Sequence, residues 1–452
     1  MHKFGAVTLA TLMVSACGSG GSTPLPAPVP TPTPTPTPTP PAPTPTPAPP
    51  PAPTPTPPPP APTPPPPPSA ATPEFLVNSA TAGLQSEVNL ARLSDGNLIA
   101  VWRTAANAGD IQAQILDPNG NRIGGEFVIV SNAARQRNPA VGAIPGGGFA
   151  VVWSEPDNNA SGLRVRGQFF ANTGTRVGTE FSWGTETILF PAYARVAEQL
   201  SVVGLSNGGI AVTSETADRG SFHQATTEVR TRVVSASGVV APDILLASGG
   251  PPSASVPEAN AFVDSALLTS GNYVVVYSYT GTAPMTFFRI FNASGQPVTD
   301  QRVIGGGGPT AIVSTETSVT ALPDGGFMTA RSQAGIIILR RYDASGVQVG
   351  TDTSVGSGGA SSLSLLSDGR IVLTYHGPEA AGGSGFDIYA ATFALGGPIS
   401  TIALINQATA GIQLAPRVQA TSAGRFIILW NDASGVGGDS DGGIKAIVLV
   451  GG

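Results

Sequence analysis

The chain has little of what metal-binding, disulfide-stabilised and nucleic-acid-binding proteins use. Its 452 residues include one cysteine and three histidines, and only 11% are charged. A single cysteine cannot form an internal disulfide. The histidines are isolated and do not supply the ligand set of a zinc site. The formal charge of −6 provides no basic stripe for phosphates, which argues against nucleic acid as a partner.

Proline and glycine, by contrast, are abundant, with 45 and 57 residues. Twenty-nine of the prolines lie between Pro24 and Pro73, in Thr-Pro, Ala-Pro and Pro-Pro steps without a charge. Such a segment cannot bury a core, and it favours extended polyproline II at about 3.1 Å per residue, or roughly 150 Å in all. We therefore interpret residues 18–73 as a disordered, Gly/Ser- and then Pro-rich tether, and residues 74–452 as the folded part.

The first residues are typical of an export signal. Lys3 precedes a short apolar run that is too short to span a bilayer. The run leads to Val14-Ser15-Ala16-Cys17, which resembles the lipobox of bacterial lipoproteins. The resemblance implies that residues 1–17 are a signal peptide ending at Cys17, cleaved before that residue, whose thiol becomes lipidated. Gly18 follows, where Asp would signal inner-membrane retention, so we expect an outer-membrane location and leave open the side that the protein faces.

Seven copies of one unit fill the rest of the chain. Each copy has a glycine turn, such as Asp95-Gly96, followed by an apolar run that is predicted to form a strand. The runs reach the equivalent positions Trp102, Trp153, Ser214, Tyr277, Arg331, Tyr375 and Trp430. Four strands are predicted in each unit, and repeats of this length point to an all-β fold, a seven-bladed β-propeller.

The two ends of the folded part favour closure of the ring. Phe75-Leu76-Val77-Asn78 is patterned as a fourth strand without its own blade, and Lys445 to Val450 as a third strand without a fourth. Together they would complete one blade and hide both edges. We therefore expect a closed propeller and a monomer.

Several copies share the spacing Gly-x-x-x-Gly-x-acid, as in Gly120/Gly124/Glu126. With the Asp-Gly turn and the aromatic strand end, this spacing resembles the propeller-like units of about 50 residues found in large secreted bacterial proteins, including some calcium-binding RTX exoproteins. The third, fourth and sixth copies depart from the spacing, so their blade boundaries are less defined. The resemblance concerns architecture and implies no particular activity.

Candidate functional residues lie on one face, because the loops there vary in length while the opposite turns are short and uniform. The starts of the innermost strands supply Asn89, Asp264 and Arg417 as candidates for lining the central funnel, although Asp264 and Arg417 could equally form a structural pair. The candidate binding residues on the loop face are Arg135, Arg137, Tyr193, Arg195, His223, His376 and Glu379. Asp439 and Asp441 are the only candidate metal ligands, for calcium; otherwise no cofactor is expected.

Few carboxylates converge on the predicted axis, whereas a glycan-cleaving propeller needs several. The sequence therefore favours a non-enzymatic, membrane-anchored lipoprotein that presents the propeller as a binding or envelope-assembly module for a protein or glycan. Two alternatives stay open. One is a propeller-type glycan hydrolase or lyase, and the other is a structural surface protein without a specific ligand.

Overall fold

A computed structural model describes residues 63–105, 109–132, 135–156, 163–184, 195–218, 227–249, 262–279, 285–306, 317–383, 385–409, 411–422, 424–436 and 438–452. Within these ranges every regular element is a β-strand. In chain order the strands are β1 (Ser69–Ala70), β2 (Phe75–Leu76), β3 (Gln85–Arg92), β4 (Leu98–Thr104), β5 (Ile111–Leu116), β6 (Arg122–Val130), β7 (Arg137–Ala143), β8 (Phe149–Pro156), β9 (Leu163–Phe170), β10 (Arg176–Trp183), β11 (Arg195–Gly204), β12 (Ile210–Asp218), β13 (Thr227–Val234), β14 (Ile244–Gly249), β15 (Val263–Leu267), β16 (Tyr273–Tyr279), β17 (Met285–Phe291), β18 (Arg302–Gly306), β19 (Thr317–Ala321), β20 (Phe327–Gln333), β21 (Ile336–Tyr342), β22 (Gln348–Ser357), β23 (Gly359–Leu365), β24 (Arg370–Pro378), β25 (Phe386–Ala394), β26 (Ala403–Leu404), β27 (Gln413–Ala420), β28 (Arg425–Asp432) and β29 (Gly443–Val450).

The strands form seven antiparallel sheets, and each sheet is one blade of a propeller. Blades 1 to 6 are β3–β6, β7–β10, β11–β14, β15–β18, β19–β22 and β23–β26, while blade 7 contains β27, β28 and β29. The first strand of each blade lies innermost and contacts the first strands of the two neighbouring blades, and β27 contacts β3. The predicted all-β, seven-bladed fold is confirmed.

The hydrophobic cores lie between blades. Seven clusters of buried side chains occur among the described residues, and each draws its members from two adjacent blades. The aromatic positions that mark the repeat contribute to them, and Trp102, Trp153 and Trp430 are fully buried. Because one sheet face cannot exclude water alone, each blade is stable only against its neighbours.

Glycine turns allow an aromatic ring of one blade to pack on the next blade. Gly120 (φ +87°) and Gly174 (φ +84°) sit in the turns between third and fourth strands. A methyl group on Gly120 would lie 2.7 Å from Cζ of Phe75, and one on Gly174 would lie 3.0 Å from Cζ of Phe127. Both rings come from the outer strand of the preceding blade, so the glycine provides the positive φ and the space for the ring.

The N-terminal part of the fold closes the ring, as the sequence pattern predicted. In β2, Phe75 pairs with Ala446 and Leu76 with Lys445 of β29. The pairing extends further than predicted, because Ser69 of β1 pairs with Val450 within the stretch assigned to the tether. The four residues from Ser69 to Thr72 contain no proline, so their N–H groups are available for the sheet.

Candidate functional site in the axial funnel

A cavity of about 360 Å³ lies on the propeller axis and is lined by residues of all seven innermost strands. Residues at the same height in the seven innermost strands can be identified from the strand pairing. In each blade, the first-strand residue at this height pairs with the second-strand residue that directly precedes the aromatic position of the repeat. These equivalent positions are Asn89, Ala140, Ser201, Asp264, Ser318, Ser362 and Arg417. We call this set the funnel ring. Its charged members are Asp264 and Arg417, from blades 4 and 7.

Asp264 links three blades. Its Oδ2 accepts a hydrogen bond from the Val319 N–H of blade 5 at 2.9 Å, and its Oδ1 accepts one from the Ser265 N–H at 2.8 Å. The Ser201 hydroxyl of blade 3 donates to Oδ1 at 3.5 Å. Burial raises the pKa of Asp264 to about 6, although these donors and the positive charge of Arg417 act in the opposite direction. The carboxyl therefore keeps its proton to a higher pH than an ordinary aspartate does, up to about pH 6.

Arg417 lies on the wall opposite Asp264. Blades 4 and 7 are three apart in a ring of seven, so their first strands face each other across the axis. The Arg417 guanidinium donates to the Pro416 carbonyl at 3.1 Å and attracts the Asp264 carboxylate. Asn89 of blade 1, adjacent to blade 7, also lines the cavity, and its Oδ1 accepts the Leu90 N–H at 2.8 Å. A molecule on the axis would thus lie between an acid and a guanidinium.

A β-bulge precedes the funnel ring in β3, β7, β23 and β27. The first bulged residue has a positive φ, which is 59° at Glu87 and 52° at Asn138. Glu87 accepts the Asn138 N–H at 2.5 Å and lies 3.7 Å from the Arg103 guanidinium. Burial raises the pKa of Glu87, and the Asn138 N–H, Arg103 and Arg137 partly offset that rise. A second carboxyl with a raised pKa therefore lies two residues before Asn89 along the same strand.

The structure does not bring the predicted loop-face residues together in the funnel cavity. Arg135 is exposed, and Arg137 starts β7 beside Glu87. Arg195 starts β11, but its side chain lies outside the described residues. Tyr193 and His223, and also Cys17, lie outside the described residues altogether.

His376 and Glu379 each make contacts within their own blade. The His376 ring packs edge-on against Phe386, with ring centroids 5.0 Å apart, and burial lowers the pKa of its imidazole to about 4. It is therefore neutral at physiological pH. Glu379 Oε2 accepts the Gly385 N–H at 3.0 Å, which shapes its own loop.

The two candidate calcium ligands, Asp439 and Asp441, both contact the N-terminal segment of the fold. Asp439 is buried, and its Oδ2 accepts the Asn78 side-chain amide at 2.8 Å. Asp441 Oδ2 accepts the Gly83 N–H at 2.9 Å. In the part of the chain that the structure describes, no group of three or more His, Cys, Asp or Glu residues is arranged to hold a metal ion. The two carboxylates therefore connect the C-terminal blade to the N-terminal segment.

Sequence reasoning missed a buried polar cluster that recurs at blade junctions. Between blades 7 and 1, the Asn78 amide joins Asp439 to Gln85, at 2.8 and 3.3 Å. Between blades 6 and 7, the Asn406 amide joins Asp387 to Gln413, at 2.7 and 3.5 Å. In both clusters the Asn lies seven residues before the Gln, and that repeated spacing was the signal available in the sequence.

No model of a known protein family matches the chain, and no curated protein sequence matches it. Solved structures do resemble it. One is a protein of unknown function from Dyadobacter fermentans DSM 18053, with 11% identity and a TM-score of 0.49 over 85% of this chain and 99% of that one. Another is the alpha-L-arabinanase of Penicillium chrysogenum complexed with arabinobiose, with 12% identity and a TM-score of 0.47 over 68% and 94%. A third is the intramolecular trans-sialidase of Ruminococcus gnavus in complex with oseltamivir carboxylate, with 10% identity and a TM-score of 0.46 over 83% and 96%.

The prediction of a non-enzymatic binding module is wrong against these comparisons. Two of the resembling structures are named as carbohydrate-active enzymes, an arabinanase and a trans-sialidase, and another is named as a puromycin hydrolase. At 10–12% identity the likeness concerns the fold, so an activity for this chain has to be argued from its own funnel.

Proposed function

We propose that this protein cleaves glycans in its axial funnel, with the Asp264 carboxyl as proton donor. One observation carries the proposal: a carboxyl whose pKa is raised to about 6 lines a central cavity of about 360 Å³. Such a group holds its proton up to about pH 6 and can deliver it to the leaving oxygen of a glycosidic bond.

The rest of the funnel suits a carbohydrate. Hydroxyl, amide and guanidinium groups of Asn89, Ser201, Ser362 and Arg417 line the cavity. Polar side chains on a rigid wall can hydrogen-bond sugar hydroxyls, and the Arg417 guanidinium opposite Asp264 can bind an oxygen that gains negative charge. The innermost strands position these groups, and the polar lining favours a hydroxyl-rich substrate.

A second carboxyl is needed for hydrolysis, to act as nucleophile or to activate water. Glu87 is the candidate, since it lies two residues before Asn89 on β3 and the positive charges of Arg103 and Arg137 favour its charged form. Elimination needs a base and yields an unsaturated sugar, whereas hydrolysis yields a new reducing end. The products therefore distinguish the hydrolase from the lyase.

The purified full chain should be incubated with a panel of envelope and extracellular polysaccharides, with assays for both kinds of product. We expect cleavage that declines as pH rises through about 6, and a loss of about 100-fold or more in Asp264→Asn. Asp343→Asn, in an exposed turn, is the matched control and should retain activity. Absence of product across the panel, or full activity in Asp264→Asn with an intact circular-dichroism spectrum, would refute the proposal.

The cellular placement is a separate proposal that rests on the sequence. We propose that Cys17 carries the lipid anchor in the outer membrane and that residues 18–73 act as the spacer for a propeller spanning residues 74–452. In the part of the chain that the structure describes, no helix has the length and apolar character required to cross a membrane. Protease treatment of intact cells and of a Cys17→Ala strain tests the anchor. Retention of the variant in the membrane fraction would contradict it, and cleavage of the wild type would indicate surface display.

A further inference from the structure

A second cavity, of about 160 Å³, lies between blades 3 and 4, on the side of the short turns. Its wall includes Val233 and Ile244 of blade 3 and Tyr273 and Gly295 of blade 4. The ion pair between Arg232 and Asp243 (3.1 Å) borders it. The cavity is distinct from the axial funnel, which has other lining residues.

The cavity occupies the place that an aromatic ring fills at other junctions. Phe75 pairs with Ala446 and covers Gly120, and Phe127 pairs with Ala113 and covers Gly174. In blade 3 the equivalent pair is Ile244 with Thr231, and the glycine of the next blade is Gly295.

The loss of the ring follows from the sequence of the third repeat. Gly238-Val-Val-Ala-Pro242 replaces the Gly-x-x-x-Gly-x-acid spacing, which Phe127 and Phe181 directly follow in the first two repeats. A methyl group on Gly295 would meet Val233 at 3.0 Å, and its three nearest heavy atoms include none from an aromatic ring of blade 3. Ile244 is shorter than phenylalanine and does not fill this cavity. Because a phenylalanine ring fills the equivalent space beside Gly120 and Gly174, the cavity has room for one aromatic ring.

A buried hydroxyl is directed into this space. Tyr273 is fully buried, and its hydroxyl makes no hydrogen bond of acceptable geometry with the described residues. That hydroxyl would lie 3.9 Å from a methyl group on Gly295. The Thr231 hydroxyl, which donates to the Val212 carbonyl at 3.4 Å, can still accept the Tyr273 O–H and holds the pKa of Tyr273 below the value that burial alone would give. The Tyr273 oxygen then offers its lone pairs, and the hydroxyl of a ligand can donate to them.

We propose that this cavity binds a single aromatic ring that carries a hydroxyl group, that is, a small phenol. Its volume is close to the roughly 150 Å³ of an apolar cavity that accommodates benzene. The ring would take the place that Phe127 occupies between blades 1 and 2, and its hydroxyl would pair with that of Tyr273.

Binding is measured on the purified full chain by titrating phenol and benzene separately and following the Gly295 amide in 1H–15N spectra. We expect both to bind, with phenol about threefold to tenfold tighter, as one hydrogen bond supplies. Tyr273→Phe should remove that preference while benzene still binds. This variant is conservative, because Phe149 holds the equivalent position in blade 2 and stacks on Phe170 as Tyr273 does on Phe291.

Ile244→Phe supplies the missing ring from within the chain. It should raise Tm and weaken the binding of both probes at least tenfold, whereas Phe127→Ile should lower Tm. The proposal is overturned if phenol causes no shift at Gly295, if phenol and benzene bind equally, or if Ile244→Phe binds phenol as well as the wild type does.

Discussion

Removal of the Asn78 side chain tests how the propeller is closed. Asn78 is 1% exposed. Its amide donates to Asp439 Oδ2 at 2.8 Å and to the Ala80 carbonyl at 3.0 Å, and its Oδ1 accepts the Ile444 N–H at 2.8 Å. In Asn78→Ala, the buried Asp439 carboxylate loses a donor and the buried Ile444 N–H loses its acceptor.

The cost can be worked out from these contacts. A hydrogen bond to a charged group contributes about 1.5–3 kcal/mol, and an orphaned buried N–H costs about 1–3 kcal/mol. Their sum is about 2.5 kcal/mol at the low end. At about 2 °C per kcal/mol for a domain of this size, Tm should fall by about 5 °C or more, as measured by calorimetry or circular dichroism.

Asn406→Ala is the matched control, because Asn406 makes the same kinds of contact with Asp387 and Ile388, both at 2.7 Å. Its junction joins blades that are consecutive in the chain, whereas the Asn78 junction joins the two ends. Both variants should be destabilised by the loss of these hydrogen bonds. Any larger fall in Tm in Asn78→Ala than in Asn406→Ala measures how much the Asn78 contacts stabilise the closed ring. A fall in Tm of less than about 2 °C in both variants would refute the energetic role of these clusters.

Three further predictions follow from buried charges and from glycine. The raised pKa of Asp264, about 6 against an ordinary 3.8, means that the folded state disfavours the charged form, so this contribution to stability is complete below about pH 4 and lost as pH rises to 6. In urea unfolding, Asp264→Asn should therefore gain up to about 3 kcal/mol relative to the wild type between pH 4 and pH 7, and a constant difference would contradict this. The His376 imidazole, with its pKa lowered to about 4, should remain neutral at pH 5 in an NMR titration, and a midpoint above 6 would show that it is not desolvated. Gly120→Ala, which brings a methyl group against Phe75, should lower the unfolding free energy by more than Gly124→Ala, which also has a positive φ (68°) but open space and should cost only about 1 kcal/mol; equal losses would mean that the ring moves aside freely.

The sequence was a good guide to the blades because their signals are local. Each turn between first and second strands carries a glycine with a positive φ, as at Gly96 and Gly325. The strand after that turn begins with an apolar run in most blades, as in Leu98 to Trp102, so both the repeat and its register could be predicted. Ser69–Ala70 was assigned to the tether because prolines flank it, and its pairing with β29 depends on a strand almost 400 positions away.

The site was harder to predict because its parts are dispersed. Asp264 and Arg417 were placed near the axis from their positions at strand starts, but nothing local shows that burial outweighs the surrounding donors in the pKa of Asp264. Glu87 was missed because its bulge depends on the pairing of β3 with β4. The small number of carboxylates near the predicted axis led to the prediction of a non-enzymatic protein, which the comparisons with solved structures contradict.

The closure of blade 7 also determines how the protein would respond to a pull on its N-terminus. A force applied ahead of Ser69 reaches β1 first, and two residue pairs hold that strand to Val450 and Leu449. Behind it lies a stronger attachment, formed by the buried Glu74–Lys445 ion pair at 2.7 Å and by β2. Tension would therefore separate β1 from β29 first and leave β2 paired with β29, so the propeller would stay closed while β1 is detached.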